Sequence, residues 1–189
     1  MGIEHPYTIS SLNNLAVLLR DIGSDKEALK IYQSLLLYNE KNYGSLSHEV
    51  SMNCRNIAKC SWEINKLDDA ELYFRRELEI LKQINGNTHP STLESVQQLG
   101  VFLRERQKYE EAESLLREVI KNRELLSDTD DPEVAGSLNA LGLLLVKTNR
   151  IEEAITLYTR ALVIREEALG ADHPQTVLIR DRLSEITNI

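Results

Sequence analysis

Glycine and proline are scarce in this chain, at eight and four of 189 residues. Their scarcity argues against a turn-rich, all-β design and leaves long stretches suited to helix. Aromatic residues are thin too, at 5 %, with a single tryptophan. The two cysteines, Cys54 and Cys60, lie on one predicted helix, where about 9 Å of axial rise keeps them too far apart for a disulfide, so both are expected as free thiols. No stretch approaches the ~18 apolar residues of a membrane span, no secretory leader opens the chain, and no Asn-x-Ser/Thr sequon is present. Membrane insertion is therefore not expected, and the cytosol is the default compartment.

Positive charge is also in short supply. Against 22 Lys and Arg stand 30 Asp and Glu, a formal net charge of −8. Phosphate binding draws its affinity from clustered cations, so a nucleic-acid partner is disfavoured. No phosphate loop, Gly-x-Gly-x-x-Gly or Gly-x-Ser-x-Gly motif occurs. His5, His48, His89 and His173 are spread along the chain rather than set at metal-ligand spacings. Acid pairs such as Asp68-Asp69 and Glu110-Glu111 sit where second helices open and a negative charge favours the helix dipole. No catalytic residue, metal site or cofactor is expected, and the chain is not read as an enzyme. With 42 % hydrophobic and 28 % charged residues it is ordinary globular material.

What the chain has in abundance is repetition. Ala28, Ala70, Ala112 and Ala154 recur every 42 residues, each preceded by an acid. Leu15, Ile57, Leu99 and Leu141 keep the same step, as do Ala16, Ala58, Gly100 and Gly142. Such a period marks stacked units that cannot bury their apolar faces alone. Leu12, Leu15, Ala16 and Leu19 follow the spacing of one helical face, predicting a first helix from about Tyr7 to Ile22. A break at Gly23-Ser24-Asp25 precedes a second apolar face of Ala28, Ile31, Tyr32, Leu35 and Leu36, running to about Asn42. The small residues recur because antiparallel helices joined by a short turn approach closely only where side chains are short. Pro6, Pro90, Pro132 and Pro174 suit first helical turns, with His48 in the remaining slot. Asp131, His5, His89 and His173 fall near N-caps, and Gly44, Gly86 and Gly170 near C-terminal stops, with Asp128 in the same column. The expectation is one domain over residues 1–189. It comprises units at about 5–46, 47–88, 89–130 and 131–172, and a capping helix at 173–189 with a stripe of Val177, Ile179, Leu183 and Ile186. Met1-Gly2-Ile3-Glu4 leads almost directly into the first unit, as in a fragment cut from a longer array.

The pattern of Ala16, Ala28 and Tyr32, repeated by Ala58, Ala70 and Phe74 and by Gly142, Ala154 and Tyr158, resembles the tetratricopeptide repeat. The long 42-residue form, with Leu12-Asn13-Asn14-Leu15-Ala16 and Leu169-Gly170-Ala171-Asp172-His173-Pro174, is similar to kinesin light chain and nephrocystin-type repeats. This resemblance implies an all-α, right-handed solenoid of four helix-turn-helix units plus a capping helix. It also implies that first helices line an inner groove holding a linear peptide, with Asn side chains on its backbone.

A stripe beside the core positions carries Asn13, Val17 and Arg20, then Arg55, Lys59 and Trp62, then Gln97, Val101 and Arg104, then Asn139, Leu143 and Val146. Asn13, Asn14, Asn56 and Asn139 stand out because amides are poor helix-interior residues. Arg20, Arg55, Lys59 and Arg104 form a local basic cluster, for which an acidic peptide is the complement or which neighbouring acids pair off. Trp62 is either a ligand anchor or packing between first helices. The chain departs from the chaperone-binding subclass, whose central Asn position here holds Val17, Lys59, Val101 and Leu143. The expected function is non-enzymatic recognition of a linear, acidic peptide by Asn13, Asn14, Val17, Arg20, Arg55, Asn56, Lys59, Trp62, Gln97, Arg104 and Asn139. The alternative is a scaffold that self-associates through the open first unit, including Tyr7 and Ile9, or through the outer face of second helices, including Tyr38 and Tyr43.

Overall fold

The computed structural model describes residues 6–126 and 131–187. The expectations for His5 and Asp128 lie outside them. Among the described residues the chain forms nine α-helices and no strand. These are α1 (Pro6–Asp21), α2 (Asp25–Tyr43), α3 (His48–Glu63), α4 (Leu67–Asn85), α5 (Pro90–Glu105), α6 (Tyr109–Leu126), α7 (Pro132–Lys147), α8 (Ile151–Leu169) and α9 (Pro174–Thr187). The helix ends follow from their capping residues. Asp131 accepts a hydrogen bond from the Glu133 amide at 2.8 Å. His89 and His173 do the same through Nδ1, from the Ser91 amide at 3.2 Å and the Gln175 amide at 3.3 Å. At α3 the cap is Ser47, accepting from the Val50 amide at 3.3 Å, so His48 is the first helical residue and not a cap. Gly86, at φ 85°, follows α4 in a left-handed conformation that side chains resist.

The chain divides into two compact units, residues 1–95 and 96–189, so that α5 contributes to both. In the first unit, Ala16, Ala28, Tyr32, Leu35, Val50, Cys54, Ile57 and Cys60 form a buried core between α1, α2 and α3, with Ile80 of α4 joining it. In the second, α7 and α8 form a hairpin, α6 packs on α7, and α9 packs on α8 through Ile179 and Ile186 as a cap. The small-residue column does what close helix approach requires. A methyl group added to Gly142 would lie 2.5 Å from Tyr158 Cε1, and one added to Gly100 would lie 3.0 Å from Leu116 Cγ.

One periodic expectation needs correction. The period puts Leu15 on the buried stripe, yet it is 46 % exposed, while Ile57, its equivalent one period on, is 0 % exposed. Leu18 and Ile22 are likewise 61 % and 75 % exposed. In α3 that face is covered by the preceding second helix, α2; among the described residues no helix covers it in α1. Burial at this column comes from a neighbour rather than from the side chain itself.

Candidate peptide-binding face

In the first unit the predicted site residues lie on α1 and α3. Asn13, Val17 and Arg20 are half-buried on α1, and Arg55, Asn56, Lys59 and Trp62 are half-buried on α3; Asn14 is exposed. Arg20 and Asn56 come together, with Arg20 Nη1 donating to Asn56 Oδ1 at 3.1 Å. Arg55 turns inward. Its Nε donates to Glu77 Oε1 at 2.6 Å, and the Glu77 side chain has no solvent exposure. Burial raises the pKa of Glu77, against the opposing pull of Arg55 and then Lys59.

Lys59 is different. It has no ion pair or hydrogen bond with the described residues, and its pKa lies below the ordinary lysine value. Burial is the main cause, and the guanidinium groups of Arg55 and Arg20 push the same way, partly opposed by Glu77 and Glu94. Trp62, one turn further along α3, meets Phe74 edge to face with ring centroids 6.3 Å apart. Its ring therefore packs on α4.

Beneath the α1/α3 notch, with α2 as its floor, lies a cavity of about 220 Å³. Ile9, Leu35, Tyr43 and Met52 supply its apolar wall, and Ser10, Asn13, Asn39, Glu49, Asn53 and Asn56 its polar one. Asn39 Nδ2 donates to Asn53 Oδ1 at 2.5 Å across its base. Sequence reasoning found Asn13 and Asn56 but missed Asn39, Glu49 and Asn53. The signal was present, because Asn39 and Asn53 are also amides at helix-interior positions, and both are buried. Ile9 and Tyr43, expected on alternative contact surfaces, also line this cavity.

In the second unit the predicted residues already have partners. Gln97 Oε1 accepts from Arg123 Nη1 at 2.7 Å and from the Ser137 hydroxyl at 2.8 Å. Arg104 is buried, its Nε donating to Glu105 at 2.9 Å and its Nη1 to the Ala140 carbonyl at 3.4 Å. Asn139 Oδ1 accepts from Arg182 Nη1 at 2.5 Å. The thiols offer no chemistry near neutral pH: burial pushes Cys54 up to about 12 and Cys60 up to about 11. Both are free and buried. Among the described residues no helix is long and apolar enough to cross a membrane.

Tetratricopeptide repeat models match residues 8–48 and, in overlapping windows, 49–125, 91–167 and 133–187. The chain belongs to the tetratricopeptide repeat family. This tetratricopeptide repeat protein is similar to two crystal structures of kinesin light chain nearly identical TPR-like repeats from Podosopora anserina. The TM-scores are 0.83 and 0.81, each at 19 % identity, covering 99 % and 98 % of this chain and 88 % of each of those. BtubC (BKLC) from P. vanneervenii matches with a TM-score of 0.77 at 22 % identity, over 88 % of this chain and 66 % of that one. These likenesses show the fold, that of the all-α tetratricopeptide solenoids. A curated relative, the clustered mitochondria protein homolog of Ajellomyces capsulatus (strain NAm1 / WU24), is 23 % identical over 108 residues. That match takes in 57 % of this chain and 9 % of the relative, so the chain spans only a small part of it. The tetratricopeptide fold implies protein–protein interaction, and its members are generally non-enzymatic scaffolds.

Proposed function

We propose that the α1/α3 face of the first unit binds an extended segment of a partner protein and that Lys59 receives one of its carboxylates. The observation that carries this reading is the state of Lys59, a half-buried ammonium with no ion pair or hydrogen bond among the described residues, beside Arg20 and Arg55. An incoming carboxylate would relieve both the burial and the repulsion through charge-assisted hydrogen bonds. The acidic preference thus rests on Lys59 more than on a four-residue cluster, since Arg55 and Arg104 hold carboxylates of this chain. Asn13 and Asn56 flank the path and offer amides to a peptide backbone.

The test begins with binders selected from a random decapeptide library and read by the emission of Trp62. Lys59→Met keeps the aliphatic stem and removes the charge, and should weaken binding about tenfold or more. Carboxylate binding raises the depressed Lys59 pKa. Wild-type affinity should therefore hold below that depressed value and fall as pH rises through it, whereas Lys59→Met should lack this alkaline loss. Equal affinity for wild type and variant would refute the role of Lys59.

A second reading, self-association through the first unit, is favoured by the exposed stripe of Leu15, Leu18 and Ile22 on α1. Sedimentation velocity should then show mass rising with concentration in the wild type and a monomer for Leu18→Lys. A wild type that stays monomeric at high concentration rules it out.

A further inference from the structure

Within the second unit, the notch between α5 and α7 over α6 is filled by an arginine of the chain itself. Arg123 Nη1 donates to Gln97 Oε1 at 2.7 Å, to the Glu133 carbonyl at 2.8 Å and to Ser137 Oγ at 2.6 Å. Its Nη2 lies 3.1 Å from the Glu133 carboxylate. Stepping back two periods along the sequence from Gln97, Glu133 and Ser137 gives Asn13, Glu49 and Asn53, and all three line the cavity of the first unit. The same step from Arg123 gives Asn39, whose short amide reaches only Asn53. The acceptor set is therefore repeated in kind, as an amide, a carboxylate and a small polar group, while the guanidinium that satisfies it is missing.

The other notches are also plugged. Over α4, Arg55 occupies the notch with Glu77. Over α8 the slot of Arg123 holds Arg165, whose Nη2 would lie 3.5 Å from a methyl added to Gly136 of α7, and Arg182 bonds Asn139. The α1/α3 notch, with asparagine in the slot, retains a cavity.

We infer that this cavity is a binding site for an arginine side chain supplied by another polypeptide. Its volume of about 220 Å³ suits one side chain and falls short of the ~300–1,000 Å³ of small-molecule sites. Glu49 has no ion-pair partner among the described residues and supplies the carboxylate. Tyr43 and Met52, 55 % and 60 % exposed at the rim, and Leu35 at the floor supply apolar surface for the methylene stem and the flat guanidinium face. Several acceptors converging on one notch favour a forked donor over the compact ammonium of lysine. The inference rests on the reading that this face takes a partner segment, and it adds an arginine to the carboxylate that Lys59 receives.

The test uses N-acetyl-arginine amide, with the citrulline and lysine analogues as controls, followed by the side-chain amide NMR signals of Asn13, Asn53 and Asn56. The arginine compound should produce saturable shifts at these amides, and citrulline, which lacks the charge, should produce none. Glu49→Gln, a near-isosteric change at an exposed position, should weaken the interaction by about threefold to tenfold. Asn39→Arg should abolish it by installing the plug seen at Arg123. The absence of saturable shifts, shifts of equal size with citrulline or lysine, or an unchanged affinity in Glu49→Gln would each overturn the assignment. If the arginine compound fails while library peptides still bind in a Lys59-dependent manner, the arginine site falls and the peptide face stands. If it binds where no library peptide does, the site stands and the extended-segment reading falls.

Discussion

Replacing Arg55 by alanine should destabilise the first unit by about 3–5 kcal/mol near neutral pH, because it strands the buried Glu77 carboxylate without its partner. The Glu77 side chain has no solvent exposure, and its Oε2 has no hydrogen-bond partner among the described residues, so the carboxylate left behind is poorly solvated. The pH dependence has a defined sign. Burial already raises the Glu77 pKa above its ordinary 4.5, and Arg55 is the largest influence opposing that rise. Without Arg55 the folded-state pKa climbs further. A carboxyl whose folded pKa is raised contributes most below its unfolded value and loses that contribution as pH rises through the folded one. Thermal or urea unfolding should therefore show a deficit that is large at pH 8 and much reduced at pH 5. The double variant Arg55→Met, Glu77→Met should recover most of the loss, since an apolar pair of similar volume replaces a buried ion pair at little cost. An Arg55→Ala protein within 1 kcal/mol of wild type at both pH values would contradict this account.

That ion pair also explains why the sequence conveys the architecture so much better than the site. The helix pairs were legible because each hairpin is set by local signals that repeat: a small residue at Ala16, Ala58, Gly100 and Gly142, a cap at Asp131, a stop at Gly86. These act within one unit or between adjacent ones, and the period alone aligns them. The fate of a charged side chain depends instead on a single residue of another helix. The column of Leu35, Glu77, Val119 and Ala161 is aliphatic except at Glu77, and that one exchange turns Arg55 inward. A stripe read along first helices does not see second-helix residues, so Arg55 and Lys59 looked equivalent. They are not: one is neutralised at 2.6 Å, and the other has no ion-pair partner among the described residues. The cavity escaped notice for a related reason. It exists because Asn39 is short where Arg123 and Arg165 are long, which shows only when the units are compared column by column.

The converse experiment is to empty a filled notch. Arg123→Ala should destabilise the second unit by about 3 kcal/mol, because it removes the donor shared by Gln97, Ser137 and the Glu133 carbonyl, and those acceptors are not all reached by water. Asn39→Ala in the first unit removes only the amide bond to Asn53, and should cost about 1 kcal/mol. The larger loss should be partly reversible by a small molecule. Propylguanidinium carries the missing group on a short stem, so millimolar concentrations should raise the melting temperature of Arg123→Ala more than that of the wild type, whose notch Arg123 already fills. Propylammonium and propylurea, one lacking the fork and the other the charge, should rescue less. If rescue follows charge alone, so that propylammonium matches propylguanidinium, these notches select cations rather than arginine, and the first-unit cavity would accept lysine equally well. If the guanidinium is preferred, the same geometry that holds Arg123 inside the chain is the one the first unit presents to a partner.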